Sequence, residues 1–284
     1  MLRQKKAQKM KINEIVKAFS DIGSCEAERE AYLTVEYLFG VSYASVIADK
    51  QREYDEKRLN DVLEKRKKRI PLQYIFGEWY FMGERFLVSE DCLIPRQDTE
   101  ILVENAINVI KKGGRIADLC TGSGCIGVSV LLNRPDVSDL TLVDISKEAL
   151  DMARQNACLH KVDGECTFII GDVRNDILDG TYDAILSNPP YILTKDMDTL
   201  SEEVKKEPVL ALDGGVDGLD IIKPIVYNSS SHLNIGGSLM IEFGYDQGES
   251  MKLLLQNAVD IGLYSSYSFL YDYGGNIRMC HLVK

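Results

Sequence analysis

Short apolar runs alternate with amphipathic helical segments from residue 115 to the end of the chain. The runs that predict strands are 115–120, 139–144, 166–170, 182–187 and 238–243, and the segments that predict helices are 125–133, 146–160, 219–233 and 247–262. Such alternation is typical of right-handed βαβ units on a mostly parallel sheet. Two final runs, 264–271 and 276–283, are joined by a tight turn and must therefore pair antiparallel. We expect a doubly wound α/β sheet of seven strands that is closed by a terminal hairpin.

The first part of the chain has helical periodicity. Apolar residues recur at helical spacing over 11–69, which predicts a small helical bundle, and the basic residues 1–17 predict a lead-in to its first helix. Aromatic and β-branched residues over 71–95 predict a β-hairpin. Asp98 or Thr99 is expected to cap a following helix. The predicted parts are a helical domain 1–70, a β-hairpin linker 71–95 and an α/β domain 96–284.

Composition excludes several classes of protein. The chain has 284 residues, 45% of them hydrophobic, and no apolar run of about 18 residues that would predict a membrane span. Seven cysteines without a CxxC pair favour buried thiols in a reducing, cytoplasmic compartment over a disulfide framework. The histidines His160, His232 and His281 stand apart from cysteines and acids, so we expect no metal site.

The net charge of −11 is concentrated in the second part of the chain. Residues 1–112 hold 20 basic and 19 acidic side chains, whereas residues 113–284 hold 13 and 25. This acidity argues against a large nucleic-acid footprint on the α/β domain, and we expect a monomer without stable nucleic-acid binding. The basic run 65–69 could contact RNA or an acidic partner, although a solvated helix face is the commoner explanation.

A glycine-rich turn follows the first predicted strand of the sheet. Gly122, Gly124 and Gly127 satisfy the pattern G-x-G-x-x-G, and Asp144 ends the next strand, which alone would suggest a dinucleotide. Asp118 favours a different ligand, because an acid beside the turn would repel a pyrophosphate but suits the ammonium group of a methionine moiety.

Acids end three successive predicted strands. Asp144 is placed to accept hydrogen bonds from ribose hydroxyls and Asp172 from an adenine amino group, although helix capping or turn formation would also explain either acid. Three acids at three strand ends fit S-adenosylmethionine better than capping alone. The residues that we expect to contact this cofactor are Asp118, Cys120, Thr121, Gly122, Ser123, Gly124, Asp144, Ile145, Asp172, Val173 and Asn188.

The stretch Asn188-Pro189-Pro190-Tyr191 follows the fourth predicted strand, at the sheet edge where open α/β sheets bind ligands. The two prolines fix φ and carry no N–H, so the loop is stiff and leaves carbonyls pointing outward. An Asn carbonyl, a backbone carbonyl and an aromatic plane suit a flat group that carries NH2, such as an amide or the exocyclic amine of a base. A proline-stiffened surface turn is the alternative. We expect these four residues to be catalytic.

These motifs give the chain a resemblance to the HemK/PrmC family, the peptide chain release factor N(5)-glutamine methyltransferases, over nearly its whole length. The resemblance lies in Pro71 to Gly77, Ile94 to Glu100, the glycine-rich turn, Ser187 to Ile192, Glu207-Pro208, Ala211-Leu212, Gly214-Gly215, Asp217 to Leu219 and Glu242 to Gly244. It implies a Rossmann-like class I S-adenosylmethionine-dependent methyltransferase fold with a small N-terminal helical bundle. Because a methyltransferase sheet alone offers only a pocket, we expect the bundle to recognise the body of the protein substrate.

The activity that the resemblance implies is methylation of the glutamine side-chain amide in the Gly-Gly-Gln motif of translation release factors. We expect the Asn188 side-chain oxygen and the Pro189 carbonyl to accept the two N–H bonds of that amide, and Tyr191 to pack against its plane. Gln97 and Cys120 depart from the family pattern, which usually has proline and glycine there. The first change is expected to loosen the loop before Asp98, and the second adds a side chain near the cofactor.

Two other functions use parts of the same pattern. The tetrapeptide would also serve a methyltransferase that acts on the exocyclic nitrogen of adenine or guanine in nucleic acid, but the acidic second part lacks the basic cleft that such an enzyme needs. A nonenzymatic dinucleotide-binding or scaffold protein would use the glycine-rich turn, but it would give the tetrapeptide no role.

Overall fold

A computed structural model describes residues 9–284 as two compact units. The first unit runs to Gly77 and includes the short segment Glu202–Lys206, and the second consists of Glu78–Ser201 and Glu207–Lys284. The helix lead-in predicted over 1–17 falls partly on residues 1–8, which lie outside the described residues. In the described remainder, a short strand precedes the first helix.

The first unit is a helical bundle with one small antiparallel sheet. Its elements are β1 (Lys9–Lys11), α1 (Ile12–Asp21), α2 (Ala27–Phe39), α3 (Tyr43–Ala48), β2 (Glu53–Asp55), α4 (Glu56–Lys67) and α5 (Leu72–Phe76). Ile12, Ile15 and Phe19 of α1 pack into its buried apolar core, as their helical spacing predicts. Buried Arg66 pairs with Glu30 at 2.8 Å inside this unit.

The hairpin predicted over 71–95 is shorter than expected. Leu72 and Phe76 lie one helical turn apart and are both buried, so residues at the start of this range form α5. The helix ends at Gly77, whose φ of 73° is left-handed. The hairpin itself consists of β3 (Glu78–Phe81) and β4 (Glu84–Leu87).

The second unit contains the predicted seven-stranded sheet. Its remaining elements are α6 (Glu100–Val109), β5 (Arg115–Leu119), α7 (Cys125–Asn133), β6 (Asp139–Asp144), α8 (Lys147–His160), β7 (Cys166–Ile170), β8 (Tyr182–Ser187), α9 (Ile222–Ser229), β9 (Leu233–Glu242), α10 (Gly248–Asp260), β10 (Ser266–Tyr271) and β11 (Ile277–Val283). The strand order is β10-β11-β9-β8-β5-β6-β7. β11 pairs antiparallel with both β10 and β9, and the other pairs are parallel. The expected fold class is confirmed.

The sheet is buried on both faces by apolar clusters, which explains why its central strands read as continuous apolar runs. β5 pairs with β6 on one side and β8 on the other, so the chain reverses direction across the sheet at β5. A crevice opens at the carboxyl ends of the strands at such a switch point. The glycine-rich turn and the Asn188 loop therefore leave the sheet side by side. Among residues 9–284, no helix combines the length and apolar character that crossing a membrane requires.

Candidate active site

A cavity of about 250 Å³ lies at this edge of the second unit. The residues predicted to form the site that line it are Cys120, Thr121, Gly122, Ser123, Asp144, Ile145, Asp172, Val173, Asn188 and Pro190. Asp118, Gly124, Pro189 and Tyr191 are not among its lining residues. The switch point thus brings the ends of β5, β6, β7 and β8 to one cavity, as the predicted topology requires.

Asp118 lies fully buried under the glycine-rich turn. Its Oδ2 accepts hydrogen bonds from Thr121 Oγ1 at 2.6 Å and from the Gly127 backbone N–H at 3.0 Å. Its Oδ1 is buried and has no hydrogen-bond partner among residues 9–284. Burial raises the pKa of Asp118 to about 7, although both donors oppose the shift. A buried carboxylate oxygen without a donor suits a cationic or N–H donor group.

The glycine-rich turn is hydrogen-bonded to the residue that ends β6. The Gly122 backbone N–H donates to Asp144 Oδ2 at 2.8 Å, and Asp144 Oδ1 accepts from the Ser146 N–H at 2.9 Å. Burial raises the pKa of Asp144. Ser146, not Asp144, supplies the side-chain cap of α8. Gly124 has a packing role, because a Cβ there would lie 3.0 Å from the Ala153 Cβ.

Asp172 is bound to a neighbouring arginine. Its carboxylate accepts from Arg174 Nε at 2.9 Å and from Nη2 at 2.6 Å, and these hydrogen bonds lower the pKa of Asp172. Val173 beside it is buried. A carboxylate oxygen has lone pairs for more than one donor, so this ion pair leaves Asp172 able to accept a further hydrogen bond.

Cys120 has a left-handed backbone conformation, with φ of 55°. This conformation favours glycine, because the Cβ of any other residue crowds the following carbonyl oxygen. Burial raises the pKa of the Cys120 thiol, so it remains protonated near neutral pH. Cys120 is therefore a strained lining residue and not a nucleophile.

The Asn188 loop is held from behind by residues 212–214 and by Gln247. The Ile192 N–H donates to the Leu212 carbonyl at 2.9 Å, and Gln247 Nε2 donates to the Tyr191 carbonyl at 3.0 Å. A Cβ on Gly214 would lie 2.6 Å from the Tyr191 Cα, so the two backbones meet more closely than a side chain would permit. The tetrapeptide is thus a fixed part of the sheet edge.

A chain of three hydrogen bonds connects the tetrapeptide to buried groups. Asn188 Nδ2 donates to Thr99 Oγ1 at 3.2 Å, and Thr99 Oγ1 donates to Glu242 Oε2 at 2.6 Å. The Tyr191 hydroxyl donates to the other oxygen of Glu242, at 3.3 Å. Burial raises the pKa of Glu242 to about 7. Burial also raises the pKa of Tyr191.

The prediction that the side chain of Asp98 or Thr99 caps α6 is wrong. Thr99 occupies the capping position of α6, but its side chain makes no cap hydrogen bond, because the hydroxyl donates to Glu242. A short 3₁₀ turn, Gln97–Thr99, precedes α6.

Four residues were assigned no role in the site from the sequence, although all of them stand in the stretches that carry the family resemblance: Thr99, Glu242, Arg96 and Glu207. Arg96 Nη2 donates to buried Glu207, and Glu207 also accepts from the Ile94 N–H at 3.1 Å, which fixes the loop before Thr99. An acid that directly follows an apolar run is a sequence signal that could have identified Glu242, which comes after Leu239-Met240-Ile241 at the end of β9. Among the described residues 9–284, no cluster of three His, Cys, Asp or Glu side chains could hold a metal ion.

A mostly parallel seven-stranded sheet with an antiparallel terminal hairpin, and a cavity at its switch point, is the architecture of a class I methyltransferase. The sequence matches the methyltransferase small domain family over residues 96–208 and the PrmC N-terminal domain family over residues 12–77. Curated release factor glutamine methyltransferases are more than 30% identical to the chain over most of its length, so the chain belongs to the release factor glutamine methyltransferase family.

Curated relatives agree with this assignment, and a solved structure shares the fold. The chain is 33% identical to a release factor glutamine methyltransferase of Aquifex aeolicus over 93% of this chain and 94% of the relative. It is 34% identical to one of Caulobacter vibrioides over 84% of each chain. A methyltransferase from Pyrococcus furiosus, at 16% identity, aligns with a TM-score of 0.56 over 78% of this chain and 98% of its own, which shows the shared fold.

Proposed function

We propose that this chain transfers a methyl group from S-adenosylmethionine to the side-chain amide nitrogen of the glutamine in the Gly-Gly-Gln motif of translation release factors. It is a protein-glutamine N-methyltransferase, and its family membership supports this assignment. The observation that supports this function most directly is the hydrogen bonding of the Asn188 side chain. The NH2 of Asn188 donates to Thr99, whereas its Oδ1 has no hydrogen-bond partner among residues 9–284 and Asn188 lines the cavity.

The donor side of the cavity fits S-adenosylmethionine. Asp144 and the Gly122 turn would hold the ribose, Asp172, Val173 and Ile145 the adenine, and Asp118 with Thr121 the methionine ammonium group. Asp118 is fully buried and does not line the cavity, so Thr121 is the member of this pair that faces the ligand, and the carboxylate of Asp118 would act on the ammonium group from beneath the turn. Four predicted contacts remain: Cys120, Ser123 and Gly124 shape the turn, and Asn188 lines the cavity on the acceptor side. When bound, the cofactor supplies an electrophilic methyl group on a positively charged sulfur.

The acceptor side must overcome the low reactivity of an amide nitrogen. The nitrogen is planar and its lone pair is delocalised into the carbonyl, so an ordinary base would increase its reactivity little. Asn188 Oδ1 and the Pro189 carbonyl accept the two N–H bonds and fix the nitrogen in the reactive orientation. Pro190 keeps the loop stiff, and Tyr191 packs against the amide plane and excludes water. Positioning and electrostatics then supply most of the acceleration.

Mass spectrometry of a release factor after incubation with the enzyme and S-adenosylmethionine tests this function. We expect the mass of one methyl group on the glutamine of the Gly-Gly-Gln motif and none on ribosomal RNA in a parallel incubation. Methylation of the RNA with an unmodified release factor would assign the enzyme to the base methyltransferases instead.

The helical unit is proposed to bind the body of the release factor. Tyr43 and Ile47 lie one turn apart on α3, and 57% and 41% of their surfaces are exposed. Aromatic side chains such as that of Tyr43 are enriched at protein interfaces. Replacing both by serine should raise the KM for the full-length factor and leave the KM for a short Gly-Gly-Gln peptide unchanged. Equal KM values for the full-length factor in variant and wild type would contradict this role.

The enzyme is further proposed to be a cytoplasmic monomer that does not bind nucleic acid stably. No disulfide joins any of the seven cysteines within the described residues, which supports a reducing compartment, and the acidic charge supports the absence of nucleic-acid binding. Light scattering and an RNA mobility-shift assay would test the oligomeric state and nucleic-acid binding.

A further inference from the structure

Two buried polar residues lie directly behind Asn188. Thr99 precedes α6 and Glu242 ends β9, and they are 2% and 1% exposed. Ser187, the last residue of β8, pairs with Ile241 of β9, so the residues that follow these two, Asn188 and Glu242, lie at the same level of the sheet edge. The sheet topology therefore brings Glu242 to the tetrapeptide, and the turn before α6 inserts Thr99 between them.

When Glu242 is ionised, the hydrogen bonds in this group can run in only one direction. An ionised carboxylate only accepts, so the single hydrogen of the Thr99 hydroxyl goes to Glu242 Oε2, 2.6 Å away. The Thr99 oxygen is then left as an acceptor, and the amide group of Asn188 must turn its NH2 toward it. The two ends of an asparagine amide have nearly the same shape, so packing alone would not distinguish them.

We propose that Thr99 and Glu242 are positioning residues that fix the orientation of the Asn188 amide, with Oδ1 toward the acceptor and NH2 away from it. This inference rests on the proposed function, because the direction matters only if the acceptor group is an NH2. A flipped Asn188 would direct its own NH2 at the glutamine NH2. Two donors would then face each other, and neither would have an acceptor.

Glu242 also links Asn188 to Tyr191. One carboxylate oxygen accepts from Thr99 and the other from the Tyr191 hydroxyl, so one buried group controls both ends of the tetrapeptide. Burial raises the pKa of Glu242 to about 7 and the charge of Arg278 opposes that shift, so the ionised, accepting form of Glu242 predominates above about pH 7. Arg278 is itself held by Asp272 at 3.0 Å on the β11 side.

A matched pair of substitutions at Thr99 separates positioning from packing. Thr99→Val keeps the shape and removes the hydroxyl, whereas Thr99→Ser keeps the hydroxyl and removes a methyl group. Thr99→Val should lower kcat about tenfold to a hundredfold while the dissociation constant of S-adenosylhomocysteine changes less than about twofold, and Thr99→Ser should stay within about threefold of wild type. Equal losses in the two variants, or a loss of cofactor affinity as large as the loss of kcat, would overturn the proposal.

A nuclear magnetic resonance measurement tests the same inference without any acceptor. The side-chain NH2 signals of Asn188, assigned by their absence in Asn188→Ala, should shift in Thr99→Val and stay in place in Thr99→Ser. Unmoved signals in Thr99→Val would overturn the positioning role even if the release factor is methylated. Shifted signals would support it even if another NH2 group is the true acceptor. If Thr99→Val does not fold, Thr99→Ala removes the same hydroxyl without adding an apolar branch and gives the same readouts.

Discussion

The two sides of the cavity achieve their geometry by different means. On the donor side, Asp118 binds Thr121 and Gly127, which are three and nine positions away in the sequence. On the acceptor side, the partner of Asn188 is 89 positions away and that of Tyr191 is 51 positions away. A local motif can thus build a cofactor turn, whereas the direction of a catalytic amide depends on the packing of distant strands. The donor side should therefore respond to local substitutions, and the acceptor side to changes in buried residues outside the tetrapeptide.

Removing the acceptor group should have the largest effect. Asn188→Ala is expected to lower kcat on the order of a hundredfold to a thousandfold, because an oriented hydrogen-bond acceptor at the reacting nitrogen is lost. The dissociation constant of S-adenosylhomocysteine, measured by calorimetry, should change only modestly, since the donor side is separate. Retained turnover would remove the proposed role of Asn188.

Crowding the back of the tetrapeptide should be the next most harmful change. Gly214→Ala places a Cβ 2.6 Å from the Tyr191 Cα and 2.8 Å from the Pro190 carbonyl oxygen. We expect a loss of about 1–3 kcal/mol in the free energy of unfolding and a fall in kcat, because the loop must shift. Gly164→Ala is the matched control, since a Cβ at Gly164 meets no atom within 4 Å. Denaturant unfolding that gives equal stability for the two variants would show that the loop is not held by this contact.

The buried carboxylate of Glu242 should make stability depend on pH. Its pKa is raised from 4.5 to about 7 by burial, so the folded protein keeps a proton that the unfolded chain has released between these values. This contribution is present at low pH and is lost as the pH rises through about 7. The free energy of unfolding of the wild type, relative to Glu242→Gln, should fall by about 2 kcal/mol between about pH 5 and 7.

Burial raises the pKa of Asp118 as well. Because Asp118 is present in both the wild type and Glu242→Gln, its contribution cancels when the unfolding free energies of the two proteins are subtracted. Denaturant unfolding at several pH values measures the effect. Parallel stability curves for the wild type and Glu242→Gln would show that Glu242 does not titrate in this range.

The smallest expected effect is at Cys120, a single residue of the donor side whose backbone is strained. A residue with a Cβ at φ of 55° is strained, and glycine is not. Cys120→Gly should therefore unfold with a free energy about 1 kcal/mol higher than Cys120→Ala, which loses the same thiol but keeps the Cβ. An alanine variant of equal or greater stability would show that the turn tolerates a side chain there without strain.

The sequence predicts the local parts of this molecule and misses the long-range ones. The bounds of β6, β7 and β8 agree with the predicted runs, because each strand is a short apolar segment between turn residues. Thr99 was expected to cap a helix because capping is the common local use of a threonine at that position. Its true partner, Glu242, is 143 positions away and becomes visible only once β9 is placed beside β8.

A crystal structure of the enzyme with S-adenosylhomocysteine and a Gly-Gly-Gln peptide tests the central claim most directly. The account predicts that the glutamine amide nitrogen lies about 3 Å from both Asn188 Oδ1 and the Pro189 carbonyl oxygen, with the Asn188 NH2 still on Thr99. A glutamine held by other groups, or an Asn188 amide whose oxygen faces Thr99, would contradict it.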